Sequence, residues 1–232
     1  MSPSDHVGFA RRLSLVRERI AAAARRAGRD PGEVLLVAVS KRHPPEAVAA
    51  AIAAGVRDFG ENYVQEAQEK VAALGRRAAD GEEIRWHLIG ALQANKARAA
   101  VRTFDLVQSV DRDDLARRLG RIAAEEGRTL PVLVEVNLTP DPSRAGAAPE
   151  EAPALCERVA QTPGLELRGL MGMAPFAGDP RPHFARLREM FGALPDRNRR
   201  ILSMGMSGDF EVAVEEGATL VRVGTALFGP RG

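Results

Sequence analysis

The sequence predicts an α/β protein folded as a single (β/α)8 TIM barrel, with an extra helix at the N-terminus. Short apolar runs rich in β-branched residues alternate with helical patterns, and we count eight such runs. This alternation is typical of parallel sheets, and eight units argue for a closed barrel over an open sheet. No linker rich in Pro, Gly and Ser interrupts the alternation, so residues 1–232 are predicted to form one domain.

The first elements are an amphipathic helix and two strands. Apolar residues at spacings of three and four predict a helix that ends near Gly28, and they are Phe9, Leu13, Val16, Ile20 and Ala24. Residues 34–39 form a continuous apolar run, which is typical of a strand covered on both faces. A shorter strand is predicted over residues 56–60.

The remaining elements follow in alternation. Further strands are predicted over residues 84–90, 104–110, 131–137, 165–173, 200–204 and 218–223. Predicted helices lie over residues 64–74, from residue 94, and over 115–122, 150–160 and 184–194, while residues 210–216 separate the last two strands. Residues 139–149 lie between a strand and its helix, which favours a barrel loop over a domain boundary. An open doubly wound sheet is the alternative, although no Gly-x-Gly-x-x-Gly follows the first strand.

Composition excludes several classes of function. Lys and Arg number 33 against 31 Asp and Glu, so no broad positive field favours nucleic acid. The single cysteine, Cys156, excludes an internal disulfide and fits a reducing compartment. None of the four His residues has the spacing of a metal ligand set, and no signal peptide or membrane span is apparent. We therefore expect a soluble, cytoplasmic monomer without a metal site.

One lysine has the position expected of an imine-forming residue. Active residues of barrels collect at the C-terminal ends of the strands, and Lys41 follows the first strand directly. An apolar wall behind the amine disfavours the ammonium form, and the neutral amine is the form that attacks an aldehyde. The alternative is a strand-terminal lysine whose amine simply extends into solvent.

The last two strand ends carry a candidate phosphate site. Barrels often bind phosphate in the loops after strands seven and eight. The Ser207 hydroxyl and the N–H groups of Gly208 and Asp209 could receive an anion, while Gly224 permits close backbone approach and Thr225 adds a hydroxyl. Alternatively, Ser207 is only a helix cap and Gly224 only a turn. Together with Lys41, these residues favour a phosphorylated aldehyde as the ligand.

Six motifs resemble the pyridoxal-phosphate homeostasis protein family, the YggS-like proteins that bind pyridoxal 5'-phosphate (PLP). They are AVSK at 38–41, FGENYVQE at 59–66, WHLIGALQANK at 86–96, GLM at 169–171, LSMGMSGD at 202–209 and VRVGTALFG at 221–229. The motifs occur in the family's order and cover nearly the whole chain. Two positions depart from the family pattern, Arg144 where lysine is usual nearby and Ala94 where Ser or Thr is more common.

The resemblance implies a fold-type III PLP protein, similar to the barrel domain of alanine racemase, that binds and supplies PLP in the cell. By similarity, Lys41 carries PLP as a Schiff base and Arg222 faces the pyridine nitrogen. The phosphate would be held by Ser207, Gly224 and Thr225, and Asn62 would lie near the ring. The departures at Arg144 and Ala94 lie in loops at the barrel mouth and put in doubt only contacts between those loops and partner proteins. The candidate partners are PLP-dependent apo-enzymes.

A carrier is favoured over an enzyme, so no catalytic residue is assigned. A guanidinium facing the pyridine nitrogen cannot protonate it, which leaves the ring a weak electron sink. A racemase also needs a second base, but the only tyrosine is Tyr63 and no second domain is expected. The alternatives are a PLP-dependent racemase or lyase, and a class I aldolase that uses Lys41 with Glu61 or Asp111 as the acid.

Overall fold

A computed structural model describes residues 3–139, 141 and 143–229, without the side chains of residues 3–7. Its eight strands are all parallel and are ordered β1 to β8 around a closed barrel. Strand β1 pairs with both β2 and β8, which confirms the predicted barrel and excludes the open sheet. The strands are β1 (Leu35–Val39), β2 (Asp58–Glu61), β3 (Arg85–Leu88), β4 (Leu106–Val110), β5 (Leu130–Asn137), β6 (Leu165–Met173), β7 (Ile201–Ser203) and β8 (Leu220–Val223).

Helices pack on the outside of the barrel, one before β1, one after β8 and the others between successive strands. They are α1 (Pro3–Arg26), α2 (Pro45–Ala53), α3 (Val64–Leu74), α4 (Ala97–Thr103), α5 (Asp113–Glu125), α6 (Ala152–Gln161), α7 (Arg181–Gly192), α8 (Phe210–Glu215) and α9 (Thr225–Phe228). Within the described ranges, none of the helices combines the length and apolar character that crossing a membrane requires.

The extra N-terminal helix is confirmed and packs on the outer ring of helices. It contacts α2, α8 and α9 through the apolar stripe that the sequence predicts, which includes Phe9 and Leu13. The Phe9 ring lies 5.1 Å from the ring of Phe228, measured between centroids. Just after α1, the Arg29 guanidinium donates to the carbonyls of Val214 and Ala218. Helix α1 therefore covers the junction where the barrel closes.

Several predicted strands are longer than the strands observed. The predicted strand 84–90 shortens to β3, and the predicted strand 56–60 shifts to begin at Asp58. Apolar burial continues after the backbone has left the hydrogen-bonded ladder, so hydrophobicity alone overestimates strand length. The extra residues at the C-terminal ends form the loops of the barrel mouth.

The barrel interior has an apolar layer and a polar layer. Five side chains form a separate apolar cluster inside the sheet, and they are Val37, Leu106, Leu133, Met171 and Leu220. Inward-facing polar side chains of β2, β3, β4, β7 and β8 form a second, hydrogen-bonded group. The second group extends from the interior of the barrel to Arg222 near the C-terminal ends of the strands.

Candidate functional site

A cavity of about 600 Å³ opens at the C-terminal ends of the strands. All six residues that the sequence singles out for a cofactor line this cavity, and they are Lys41, Asn62, Ser207, Arg222, Gly224 and Thr225. They come from segments after β1, β2 and β7 and from β8 with its following turn. The volume falls within the range typical of small-molecule and cofactor sites.

The backbone beside Lys41 is fixed by a buried ionic cluster. The Lys70 ammonium, on α3, donates to the Ser40 carbonyl at 2.7 Å and to Oε1 of Glu61 at 2.6 Å. It also donates to Oε1 of Glu66 at 2.7 Å, and that carboxylate accepts the backbone N–H of Arg42. The residues on both sides of Lys41 are therefore tied to one buried cation.

Glu61 is a structural member of this cluster. Its side chain is fully buried, and Oε1 accepts hydrogen bonds from Ser40 and Lys70 while Oε2 has no hydrogen-bond partner among the described residues. Burial raises the pKa of Glu61, and the neighbouring Lys70 ammonium offsets only part of that effect. Glu61 is engaged beneath Lys41 and is not part of the cavity wall, which weakens its candidacy as an aldolase acid.

Asn62 contributes a buried polar atom without a protein partner. Its Oδ1 makes no hydrogen bond with the described part of the chain, although the residue lines the cavity. Gly90, after β3, permits this arrangement because a Cβ there would lie 2.5 Å from the Asn62 carbonyl oxygen. A buried unsatisfied oxygen at a cavity wall calls for a donor from a ligand or from water.

Ser207 has an unused proton that can be donated into the cavity. Its Oγ accepts the N–H groups of Gly224 and Ala226, each at 3.2 Å. Both lone pairs of the hydroxyl are therefore occupied, and its single proton remains for another acceptor. The Asp209 N–H instead donates to the Met206 carbonyl, so the expectation that it receives an anion is wrong.

Arg222 is a buried cation at the floor of the cavity. Its Nη1 donates to the Ser203 hydroxyl at 2.5 Å, and its Nη2 donates to the Gly172 carbonyl at 3.1 Å. Burial lowers the pKa of Arg222 to about 10, while the charges of Glu135 and Asp209 act to raise it. The guanidinium remains the cationic form at neutral pH.

A hydrogen-bonded relay connects Arg222 to the opposite end of the barrel. Ser203 donates to Oε1 of Gln108 at 2.6 Å, and Nε2 of Gln108 lies 3.1 Å from Nδ1 of His87. His87 Nε2 lies 3.0 Å from Oδ1 of Asp58, which also pairs with Arg85. Because the Gln108 amide can only donate at this atom, Nδ1 of His87 accepts and Nε2 carries the proton.

The relay ends in a strongly held carboxylate. Burial alone would raise the pKa of Asp58, but hydrogen bonds from His87 and Arg85, together with the charge of Arg85, lower it below the usual range. Every donor in the relay points away from Arg222 and toward Asp58. The guanidinium is consequently fixed in orientation by contacts that do not use the cavity.

Four other residues that the sequence draws attention to lie outside the wall of this cavity, and they are Tyr63, Lys96, Asp111 and Arg144. Tyr63 is half-exposed at the start of α3, and Lys96 lies near α4. Asp111 forms an ion pair with Arg112 at 2.7 Å. Arg144 lies in the loop after β5, with its guanidinium over the exposed Phe176 ring at 5.1 Å.

Glu135 is a cavity residue that the sequence analysis did not identify. It lies on β5, is 2% exposed, and lines the cavity with Arg222. Burial and the nearby charge of Asp111 raise the pKa of Glu135 to about 7, against the opposing charge of Arg222. An acidic residue within the apolar run of residues 130–136 was the signal available in the sequence.

Comparison with known proteins agrees with this architecture. The family described as alanine racemase, N-terminal domain, matches residues 12–232. The pyridoxal phosphate homeostasis protein of Pseudomonas aeruginosa is 48% identical over 228 residues, covering 96% of each chain. The protein of the same name from Escherichia coli is 42% identical over 228 residues, covering 96% of this chain and 97% of its own. The chain therefore belongs to the pyridoxal phosphate homeostasis protein family.

Solved structures extend the comparison to the fold. PipY of Synechococcus elongatus, in a structure with PLP bound, is 43% identical with a TM-score of 0.81, covering 95% of this chain and all of its own. The alanine racemase of Clostridium difficile has a TM-score of 0.69 at 14% identity, covering 92% of this chain and 56% of its own. The second similarity concerns the barrel fold alone.

Proposed function

We propose that the chain binds PLP in the mouth cavity, covalently through Lys41, and acts in intracellular PLP homeostasis and supply. One observation carries this proposal. The Lys41 amine, the buried Arg222 guanidinium and the hydrogen-bonded pair of Ser207 and Gly224 all line one cavity of about 600 Å³. The PLP-bound structure of PipY supports the same ligand. When bound, PLP supplies an aldehyde that combines reversibly with an amine.

The residues present fit this ligand. The unused Ser207 proton and the Thr225 hydroxyl suit a phosphate, and the Asn62 Oδ1 without a partner suits a donor near the ring. Gly224 has no side chain to obstruct a phosphate, and its backbone packs closely on β1, where a Cβ would be 3.3 Å from the Val39 carbonyl oxygen. Arg222 would meet the pyridine nitrogen as a donor, and the Lys41 amine would hold the aldehyde carbon.

We propose a carrier without amino-acid turnover. Arg222 keeps its own proton because its pKa of about 10 lies far above that of a pyridine nitrogen. Tyr63, the residue considered for a second base, lies outside the cavity wall. A PLP-dependent racemase or lyase is the second candidate, favoured only by the buried carboxyl of Glu135 at the cavity wall.

The recipients that we propose are PLP-dependent apo-enzymes of the cytoplasm. The lone Cys156 is buried on α6, and burial raises the pKa of its thiol to about 12. A thiol in that state is unreactive. A chain with a single cysteine fits a reducing compartment. The open mouth of the barrel gives PLP a direct route in and out.

Transfer and turnover measured side by side test this function. The loaded protein is expected to pass PLP to an apo-enzyme while catalysing no deuterium exchange at Cα across a panel of amino acids. The physical reason is that Arg222 keeps its own proton and so does not activate the ring, and that Tyr63 lies outside the cavity wall. Rapid stereospecific deuterium exchange with any one amino acid would contradict the proposed carrier function and support a racemase function.

Removal of the Ser207 hydroxyl tests the phosphate end of the cavity. Ser207→Ala is expected to weaken PLP binding about tenfold or more, because a hydrogen bond to a charged group contributes about 1.5–3 kcal/mol. Binding of pyridoxal, which lacks the phosphate, should change little with the same substitution. Titration of both ligands into both proteins gives the comparison, and equal losses for the two ligands contradict the assignment.

A further inference from the structure

Glu135 differs from the other buried acids in lacking a hydrogen-bond partner. The structure describes four buried acidic side chains, those of Asp58, Glu61, Glu135 and Glu216. Asp58, Glu61 and Glu216 all accept hydrogen bonds from basic side chains. No side-chain hydrogen bond joins Glu135 to the described residues, and its carboxyl lines the cavity. A buried carboxyl of this kind is satisfied by a ligand or by water.

The charges around Glu135 do not compensate its carboxylate. Asp111, which follows β4, adds a like charge, and Arg222 on β8 donates its hydrogen bonds to Ser203 and Gly172 instead. On β6, the residue in register with Glu135 is the apolar Met171. Three further charged residues line the cavity or its rim, and they are Lys41, Arg144 and Asp209. Burial and Asp111 together give Glu135 its pKa of about 7, so the carboxyl titrates near neutral pH.

We propose that Glu135 contacts the ligand of this cavity and makes PLP binding depend on pH. The protonated carboxyl favours binding, since it carries no charge and can donate a hydrogen bond to a ligand oxygen. The carboxylate opposes binding, since the ligand carries an anionic phosphate and both charges lie in a poorly solvated site. This inference rests on the proposed function.

The sign of the pH dependence follows from linkage. An anionic ligand beside Glu135 raises the carboxyl pKa further, so binding above neutral pH takes up a proton. Affinity is then constant below the pKa of the free protein, about 7, and decreases as pH rises through it. A regulatory consequence is that the protein releases PLP more readily as its surroundings become alkaline.

Glu135→Gln is the matched variant for the test, because glutamine resembles the protonated carboxyl in shape and charge. PLP is titrated into both proteins and the ratio of Kd values, wild type over variant, is followed with pH. Groups on PLP titrate identically in both experiments and cancel in the ratio. We expect a ratio near one at about pH 6 that increases to about tenfold at about pH 9, the effect of one pKa unit of coupling. A ratio that stays constant or falls overturns the inference.

Two further variants separate a local effect from a general one. Glu189→Gln, on the exposed face of α7, removes the same charge and should leave the pH profile of wild type unchanged. Asp111→Asn removes the neighbouring like charge, so the pKa of Glu135 and the onset of weakening should both move to lower pH. The assignment to Glu135 is contradicted if Asp111→Asn leaves the pH profile unchanged. It is also contradicted if Glu189→Gln alters the profile as much as Glu135→Gln does.

Calorimetry of the wild-type protein and of Glu135→Gln provides a readout that does not depend on Kd. Titration in two buffers of different ionisation enthalpy at about pH 8 should reveal proton uptake on PLP binding, and less uptake in Glu135→Gln. Binding of PLP with equal proton uptake in the two proteins overturns the inference and leaves the proposed function standing. Absence of PLP binding in the wild-type protein overturns both.

Discussion

Lys41→Ala is expected to abolish the covalent PLP adduct and to change the free energy of unfolding by no more than about 1 kcal/mol. The side chain is only partly buried and lines the cavity, so its truncation leaves no hole in the core. Ser207 and Arg222 remain, so some PLP should still bind without a covalent link. Absorption spectra of the loaded proteins distinguish the covalent form from the noncovalent one.

Lys96→Ala is the control for Lys41→Ala. Lys96 also lies toward the mouth loops, near α4, but outside the cavity wall. Its removal should leave the spectrum of the loaded protein as in the wild type. If the adduct survives Lys41→Ala, or disappears with Lys96→Ala, the covalent link is not formed by Lys41 as proposed.

Lys70→Ala is expected to destabilise the protein by about 3–5 kcal/mol, the usual cost of leaving a buried charge without its partner. The Lys70 side chain is 2% exposed and its ammonium holds Glu61, Glu66 and the Ser40 carbonyl. Urea denaturation followed by circular dichroism measures the change. Because Ser40 and Arg42 lose their anchors, covalent loading at Lys41 should also become weaker.

The double variant Lys70→Ala/Glu61→Gln separates charge from packing. Neutralising Glu61 removes the unpaired buried carboxylate, so the double variant should be more stable than Lys70→Ala alone. Arg121→Ala, which breaks an exposed ion pair with Glu125 on α5, should change stability far less. If the double variant is less stable than the single one, the Lys70–Glu61 ion pair is not what stabilises the cluster.

Local pattern was sufficient to predict the barrel and insufficient to place its boundaries. The apolar run 34–39 and the stripe of Phe9 and Leu13 correspond to β1 and α1, because both periodicities reflect burial directly. The helix Pro45–Ala53 is absent from the predicted elements, because two consecutive prolines are typical of a loop. In the structure Pro44 is the N-cap of this helix and Pro45 lies in its first turn. Strand ends were extended because buried residues continue into the mouth loops.

The candidate site was predictable where residues stand at strand ends, and not where they face one another inside the barrel. Lys41 and Ser207 lie in the segments that follow β1 and β7, so the barrel geometry alone assigns them to one edge. The Gln108–Ser203 contact joins positions 95 residues apart, and no local pattern specifies such a pair. Glu135 could have been noticed as an acid in an apolar strand, but its neighbours come from distant parts of the chain, Asp111 from the segment after β4 and Arg222 from β8.

The central claim is that PLP is held covalently by Lys41 in the mouth cavity. Its most direct measurement is borohydride reduction of the loaded protein, followed by digestion and mapping of the modified peptide by mass spectrometry. We expect one reduced PLP adduct per chain, on the peptide that contains Lys41. An adduct on Lys70, Lys96 or any other amine, or no adduct after loading, would contradict the claim.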